Sequence, residues 1–521
     1  MEKRSNIRLT LDEGLAVQRE LQADRTSETL AHVLGVKRAA LVRRSVDARR
    51  KGDVHFVATA ALGALEPVVP LARREFPARH EGDARPVVVG MGPAGLFAAL
   101  ELAEAGLCPL VIERGAPVEE RTADVERYHR TRVLDTESNV QFGEGGAGTF
   151  SDGKLTTGKH SPLIAQVLES FVAAGAPCDI LWQAKPHIGT DVLGGVVAAI
   201  RARIIACGGE VRFHTRLVGL HVENGVLAGV LLVGAGGEEE VPTSQAVLAL
   251  GHSARDSFEM LQGLGFEMER KPFSIGVRIE HRQDAIDRAQ YGRAAGHPAL
   301  GAADYKLFCH LEDGRSVYTF CMCPGGEVVA ASSEEGELCV NGMSRQARAG
   351  VNANAALLCN VVPADFGGEG PLAGIAFQRK WERAAFELGG GDWHAPAQTV
   401  ADFLGSARAR GPIVEPSYPL GVVEADIADC LPAFATGALR QALPLFDRRL
   451  KGYADGRAVL TGIEARSSSP VRIVRDAQTL QATRVAGAYP CGEGAGYAGG
   501  IMSAAIDGIR VARALMGGLE G

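Results

Sequence analysis

No stretch of the 521 residues approaches the roughly 20 uninterrupted apolar positions that a membrane-spanning helix requires. The first residues, Met1 to Asn6, lead into no apolar segment, so no secretory signal is expected. Cysteine is sparse and scattered: ten residues, of which only Cys321 and Cys323 are close neighbours. Neither a zinc-type double pair nor a disulfide framework can be drawn from such spacing, and buried thiols in a reducing cytoplasm are expected instead. No internal repeat of fixed period is evident. What remains, 46% hydrophobic and 22% charged, is the composition of a soluble globular protein with two or three domains.

The formal net charge of −7 is unevenly distributed. Residues 1–80 hold 15 Lys/Arg against 10 Asp/Glu, a balance of +5, which leaves −12 for the remainder. Lys37, Arg38, Arg43, Arg44, Arg49, Arg50 and Lys51 make up much of this basic character. An RNA-binding or docking surface is one reading, and the solvated face of a small domain is the other, which is expected.

Residues 1–63 read as a self-contained α/β unit, with a period-two strand at 7–11, helical stretches at 15–21 and 27–34, and strands at 42–48 and 54–60. A small ferredoxin-like module is expected. Prolines and charges make 64–85 a linker. A nucleotide-binding domain is expected over 86–264, a mixed α+β substrate domain over 265–460, and a return to the first domain over 461–521. Asn224 and Gly225, between two strand candidates, signal a hairpin.

The decisive segment is 86–113. Val87 to Val89 read as a buried strand, and Gly90, Gly92 and Gly95 form a G-x-G-x-x-G turn into a helix. The first glycine permits the tight turn, the second admits a pyrophosphate, and the third lets the helix pack on the strand. The positive end of the helix faces the phosphates. A second strand, 110–112, ends in Glu113, 18 positions after Gly95, at the spacing of a carboxylate that accepts from ribose hydroxyls.

Residues 489–501, glycine-rich and followed by an apolar helix, resemble the C-terminal flavin motif of glutathione-reductase-type proteins. Glu493 stands where that motif has its ribityl-binding acid, and Gly500 opens the helix. Residues 248–252 resemble the strand end joining the nucleotide domain to the rest. With residues 141–154, 321–326 and 467–472, these motifs resemble the uncharacterised FAD-dependent dehydrogenase family of bacteria and plastids, over nearly the whole chain. The resemblance implies FAD in a discontinuous Rossmann-like α/β domain, with a small N-terminal module ahead of it. The cofactor-binding residues expected are Gly90, Gly92, Pro93, Ala94, Gly95, Glu113, Arg114, Gly145, Gly146, Lys154, Gly251, Gly492, Glu493, Gly500 and Ile501.

One complete nucleotide fingerprint is present, and the C-x-x-x-x-C pair of the disulfide reductases is not. The flavin is then reduced by a small-molecule substrate, by transiently bound NAD(P)H or by a protein donor. The expected function is hydride transfer between flavin and an organic substrate, with no metal; no catalytic residue is assigned. An RNA-associated or nucleotide-modifying flavoprotein is the alternative, and a non-catalytic flavin scaffold a third reading. Cys321 and Cys323 would share one strand face about 6.6 Å apart, too far for an unstrained disulfide. A redox role near the flavin and inert burial are both open, and inert burial is expected. Ser332, Ser333, Glu334 and 341–344 are candidates to line a substrate cavity, or strand-end loops. Arg466 to Arg472 reads either as a flavin-side anion site or as a serine–proline turn. His252, His310 and Glu280 are the available acid–base groups.

Overall fold

The computed structural model describes residues 2–21, 23–68, 85–406 and 414–517. Most of the expected linker, 69–84, therefore lies outside the described residues. Among those described, no helix is long and apolar enough to cross a membrane.

At the N-terminus, strand Lys3–Leu9 is followed by helices Leu11–Glu20 and Glu28–Leu34 and by strands Ala39–Asp47 and His55–Leu62. Thr10 starts the first helix by a reciprocal cap: its hydroxyl accepts from the Glu13 N–H at 3.2 Å, and the Glu13 carboxylate accepts from the Thr10 N–H at 2.7 Å. The sheet is antiparallel, with the third strand in the middle. This is not the expected ferredoxin-like module. Its two helices are consecutive, and among the described residues a single bridge, Thr26 to Ala40, occupies the place of a fourth strand. Nor is the unit self-contained. Leu9, Val17, Leu30 and Phe56 belong to the same apolar cluster as Trp182, Tyr291 and Ile279 of later segments. Arg44 is buried in this junction, stacked between Phe56 and Trp182 at 4.4 and 4.7 Å and donating to the Gly14 carbonyl at 2.8 Å. Arg8, Arg38 and Arg49 pair with Asp53, Asp24 and Asp47.

The nucleotide-type domain is built on a five-stranded parallel sheet, in the spatial order Ala488–Pro490, Ala246–Leu248, Val87–Val89, Leu110–Ile112, Glu210–Arg212. Its three central strands are short, wholly apolar runs, because helices cover one face and the antiparallel strands at 216–242 cover the other. The C-terminal strand Ala488–Pro490 thus joins the sheet of the fingerprint strand Val87–Val89 by pairing with Ala246–Leu248. Helix Pro93–Glu104 packs along helix Ile501–Leu515 on one face. A three-stranded antiparallel layer, Arg216–Glu223, Val226–Gly234 and Gly237–Pro242, includes the expected hairpin, with Asn224 at φ 51° in its turn.

The second domain holds a seven-stranded sheet in the order Phe308–His310, Ser316–Cys323, Asn352–Val361, Phe273–Arg282, Val459–Glu464, Ala395–Thr399, Val422–Glu424. Helix Ala433–Arg449 lays Leu439, Leu443 and Phe446 into the same core as Ile275, Val277, Ile279 and Leu357. Strand Val459–Glu464 lies between two members of this sheet, so the domain runs to Glu464 rather than ending at 460. An apolar run such as 459–463 suits either sheet, and only its pairing decides. The ribbon of Met268–Arg270 with Val471–Ile473 joins the two domains.

Candidate functional site

The two domains enclose one large cavity. Its floor is the glycine turn: Gly90, Gly92, Pro93 and Ala94 line it, with Gly92 capping helix Pro93–Glu104 without a side-chain partner. The first-turn N–H groups consequently point into open space, the arrangement that binds phosphate. Gly95 does not reach the cavity. A Cβ there would overlap the Gly90 carbonyl oxygen, so this glycine serves the approach of helix to strand.

Glu113 lines the cavity and is 5% exposed. One carboxylate oxygen accepts from the Met91 N–H at 2.8 Å, and the other from Gly115 at 2.9 Å and Gly143 at 3.0 Å. It therefore ties the fingerprint turn to the glycine-rich block while keeping lone pairs for a ligand. Arg114 stacks on Phe142 at 4.3 Å and is held by Glu137 at 2.8 Å and Asp256 at 2.9 Å. Fixed in this way, it forms part of the rim.

The glycine-rich block is organised by a residue the sequence did not reveal. Arg121, in helix Val118–Thr131, is fully buried and donates to the carbonyls of Asn139, Val140, Gly143, Glu144 and Gly146 at 2.6–3.3 Å. These bonds pull the chain into a short 3-10 turn, Gly146–Phe150. Gly146 lies against Gly92 at φ 59°, where a side chain would be both strained and crowded. It lines the cavity together with Gly148, Ser151, Asp152 and Lys154, whereas Gly145 lies behind it, its N–H donating to the Met91 carbonyl at 2.8 Å.

From the C-terminal segment, Glu493, Gly500 and Ile501 line the cavity. Gly492 sits one layer back, donating to Asp507 at 2.9 Å. Helix Ile501–Leu515 starts at Gly500 without a side-chain cap, a second helix N-terminus facing the same space. The half-buried Glu493 accepts from the Gly500 N–H at 3.4 Å, and desolvation raises its pKa to about 7. Gly251 and His252 complete this side. Burial, and then Arg466 and Arg255, depress the His252 pKa to about 3, so the imidazole is neutral.

The opposite wall comes from the second domain: Phe320, Cys321, Asn341, Glu464, Arg466 and Ser467. Arg466 is gripped by Glu382 through two bonds, 2.9 and 2.8 Å, and Arg255 shares the same carboxylate at 2.8 and 2.9 Å. Of the other candidates, Ser333 bonds Arg466, Glu334 bonds Arg255, and the Ser332 hydroxyl accepts from the Cys339 N–H; none of the three lines the cavity. Ser469 closes a turn on the Val471 and Gly494 carbonyls. His310 is exposed beside Ser316, and Glu280 is buried against Ser417 and Asn352, both away from the cavity. Glu464 is 3% exposed, and burial raises its pKa to about 7 despite Arg278 at 3.0 Å.

The C-terminal domain of a FAD-dependent protein family matches residues 272–467, the span of the seven-stranded sheet. An uncharacterized protein of Clostridium beijerinckii is 45% identical over 526 residues, covering 98% of this chain and 97% of that protein. The chain belongs to the same FAD-dependent protein family as that relative. Solved structures that match weakly include glycine oxidase from Bacillus cereus, at 12% identity, 84% of this chain, 95% of that chain and a TM-score of 0.36. A geranylgeranyl bacteriochlorophyll reductase-like protein from Thermoplasma acidophilum, at 12% identity, covers 83% of this chain and 78% of that chain with a TM-score of 0.36.

The cofactor of this FAD-dependent protein is FAD, and the cavity fits it. Two uncapped helix N-termini and a cradle at Gly146 that is too tight and too strained for a side chain supply donors and room for an anionic dinucleotide. Glu113 and the turn at 90–94 would hold the ribose and pyrophosphate; Lys154, Glu493, Gly500 and Ile501 would lie along the rest of the molecule.

Proposed function

We propose that this FAD-dependent protein is a dehydrogenase that transfers a hydride between its flavin and a small organic substrate held against the second-domain wall. Bound there, FAD supplies the two-electron redox chemistry. The observation that carries the reading is the composition of that wall: Phe320, Cys321, Asn341 and Glu464 face the fingerprint turn across one cavity. An aromatic face and an amide suit substrate orientation. With a pKa raised to about 7, Glu464 sits where a carboxyl can give or take a proton near neutral pH. Helix Ile501–Leu515, its N-terminus open toward the cavity, favours the negative charge that accompanies flavin reduction. Electrons enter from the substrate or from visiting NAD(P)H or a protein donor, and the ten free thiols are consistent with work in the cytoplasm.

The test is an anaerobic screen of metabolites against the purified holoenzyme, following the visible flavin absorbance. A compound class that bleaches the flavin, and does so more slowly with Glu464→Gln, supports the reading. Bleaching unaffected by Glu464→Gln removes that carboxyl from the chemistry, and a flavin no metabolite or nicotinamide reduces points to a scaffold.

A further inference from the structure

Strand Ser316–Cys323 breaks its pairing with Asn352–Val361 between Phe320 and Cys323, and the break brings two thiols together. Up to Phe320 each residue has its partner in register; Cys323 resumes opposite Asn354, leaving Cys321 and Met322 in a bulge. Cys321 adopts φ 39°, a left-handed conformation that costs a non-glycine residue energy and persists only where its surroundings enforce it. The strand geometry that would separate the two side chains is therefore absent. The Cys323 thiol donates to the Cys321 carbonyl at 3.2 Å, which places it against the backbone of its neighbour.

The surroundings are positive on two sides. Lys154, from the glycine-rich block at the flavin cavity, donates to the Met322 carbonyl between the cysteines and pairs with Asp152 at 2.9 Å. Arg278 donates to the Cys321 carbonyl at 2.9 Å and lies 3.7 Å from the Cys323 sulfur, with Glu464 as its counter-ion. Cys321 is partly open and lines the cavity, while Cys323 is fully buried behind it. This is the pattern of an attacking and a resolving thiol. The neighbouring Cys323 side chain, followed by the charges of Lys154 and Arg278, lowers the Cys321 pKa, and burial raises that of Cys323.

We propose that Cys321 and Cys323 form a redox-active dithiol that exchanges an electron pair with the FAD of this cavity. The inference rests on FAD occupying the cavity. In the oxidising direction the Cys321 thiolate and the Cys323 thiol form one S–S bond and lose the Cys323 proton. The two electrons and that proton pass to oxidised FAD, giving the anionic reduced flavin. The reverse step cleaves the disulfide and returns the pair. One chain then stores two electrons on sulfur in addition to two on flavin.

The test is an anaerobic reductive titration of the oxidised holoenzyme, with alkylation by N-ethylmaleimide and peptide mass analysis before and after. Cys321→Ser and Cys323→Ser are run alongside, and flavin content is measured separately in each. Expected are four electrons per bound FAD in the parent and two in either variant, with the 321–323 peptide resistant to alkylation until reduced. A holoenzyme with full flavin content that takes up only two electrons, and whose two cysteines alkylate without prior reduction, overturns the dithiol and leaves the flavin reading intact. A chain that binds no FAD overturns both.

Discussion

The Glu113 carboxylate and the Gly143 N–H, thirty positions apart, meet at 3.0 Å and join the two loops that frame the cavity floor. The same carboxylate holds Met91 and Gly115, so one side chain both shapes the site and faces its ligand. Glu113→Gln keeps the size but places an amide N–H among three backbone donors. FAD affinity is expected to fall by about 1.5–3 kcal/mol, or roughly tenfold to a hundredfold in Kd. Fluorescence titration of the apoprotein with FAD measures it, and an unchanged Kd would show that Glu113 serves neither the loop nor the cofactor.

Gly95 serves the contact between helix and strand. In Gly95→Ala the added methyl would meet the Gly90 carbonyl, and the strain of such overpacking is of order 1–3 kcal/mol. Urea unfolding of the apoprotein is expected to show this loss before any effect on FAD is considered. A variant as stable as the parent would mean that the helix does not sit so close.

Glu382 is fully buried between Arg255 and Arg466. Taking its charge away leaves two buried guanidinium groups short of a partner, a change that typically costs about 3–5 kcal/mol. Glu382→Gln is expected to lower the urea midpoint accordingly. Because Arg466 lines the cavity, the flavin spectrum of whatever holoenzyme survives should also shift. A midpoint within error of the parent would argue that Glu334 and Glu337 suffice for both arginines.

For Glu464 the sign follows from its pKa, raised by burial from 4.5 to about 7. Between those values the folded chain holds a proton that the unfolded chain has lost. The contribution to stability is thus fully present below pH 4.5 and disappears as pH rises to about 7, amounting to roughly 3 kcal/mol. Compared with Glu464→Gln, the parent should lose stability over this window and run parallel to it above. Parallel curves throughout, in denaturant series at several pH values, would mean that Glu464 is ionised in the fold at all of them.

What the sequence disclosed was local. The turn at Gly90 to Gly95 and the acid at Glu113 follow from chemistry confined to one strand–helix–strand unit, and Glu493 and Gly500 from a second short motif. Arg121 was hidden because its partners are backbone carbonyls 18 to 25 positions away. Its one signal is a charged residue on the apolar stripe of Val118, Val125 and Tyr128. Ser332 to Glu334 read equally as cavity residues or a strand-end loop, and the pairing of Glu327–Ala330 with Val340–Met343 makes them a loop turned toward Arg255 and Arg466. Cys321 and Cys323 were expected to stand apart because strand periodicity carries no sign of a bulge. The ferredoxin-like expectation failed for a similar reason: helix and strand stretches were legible, but not the absence of a strand between the two helices.

The most direct measurement is the stoichiometry and affinity of FAD for the apoprotein, with Gly92→Val altering the first stretch and Gly500→Val the second. The expected result is one FAD per chain, with each substitution alone weakening binding at least tenfold. A parent chain that takes up no FAD, or an affinity indifferent to either substitution, would contradict a single site shared by segments 400 residues apart.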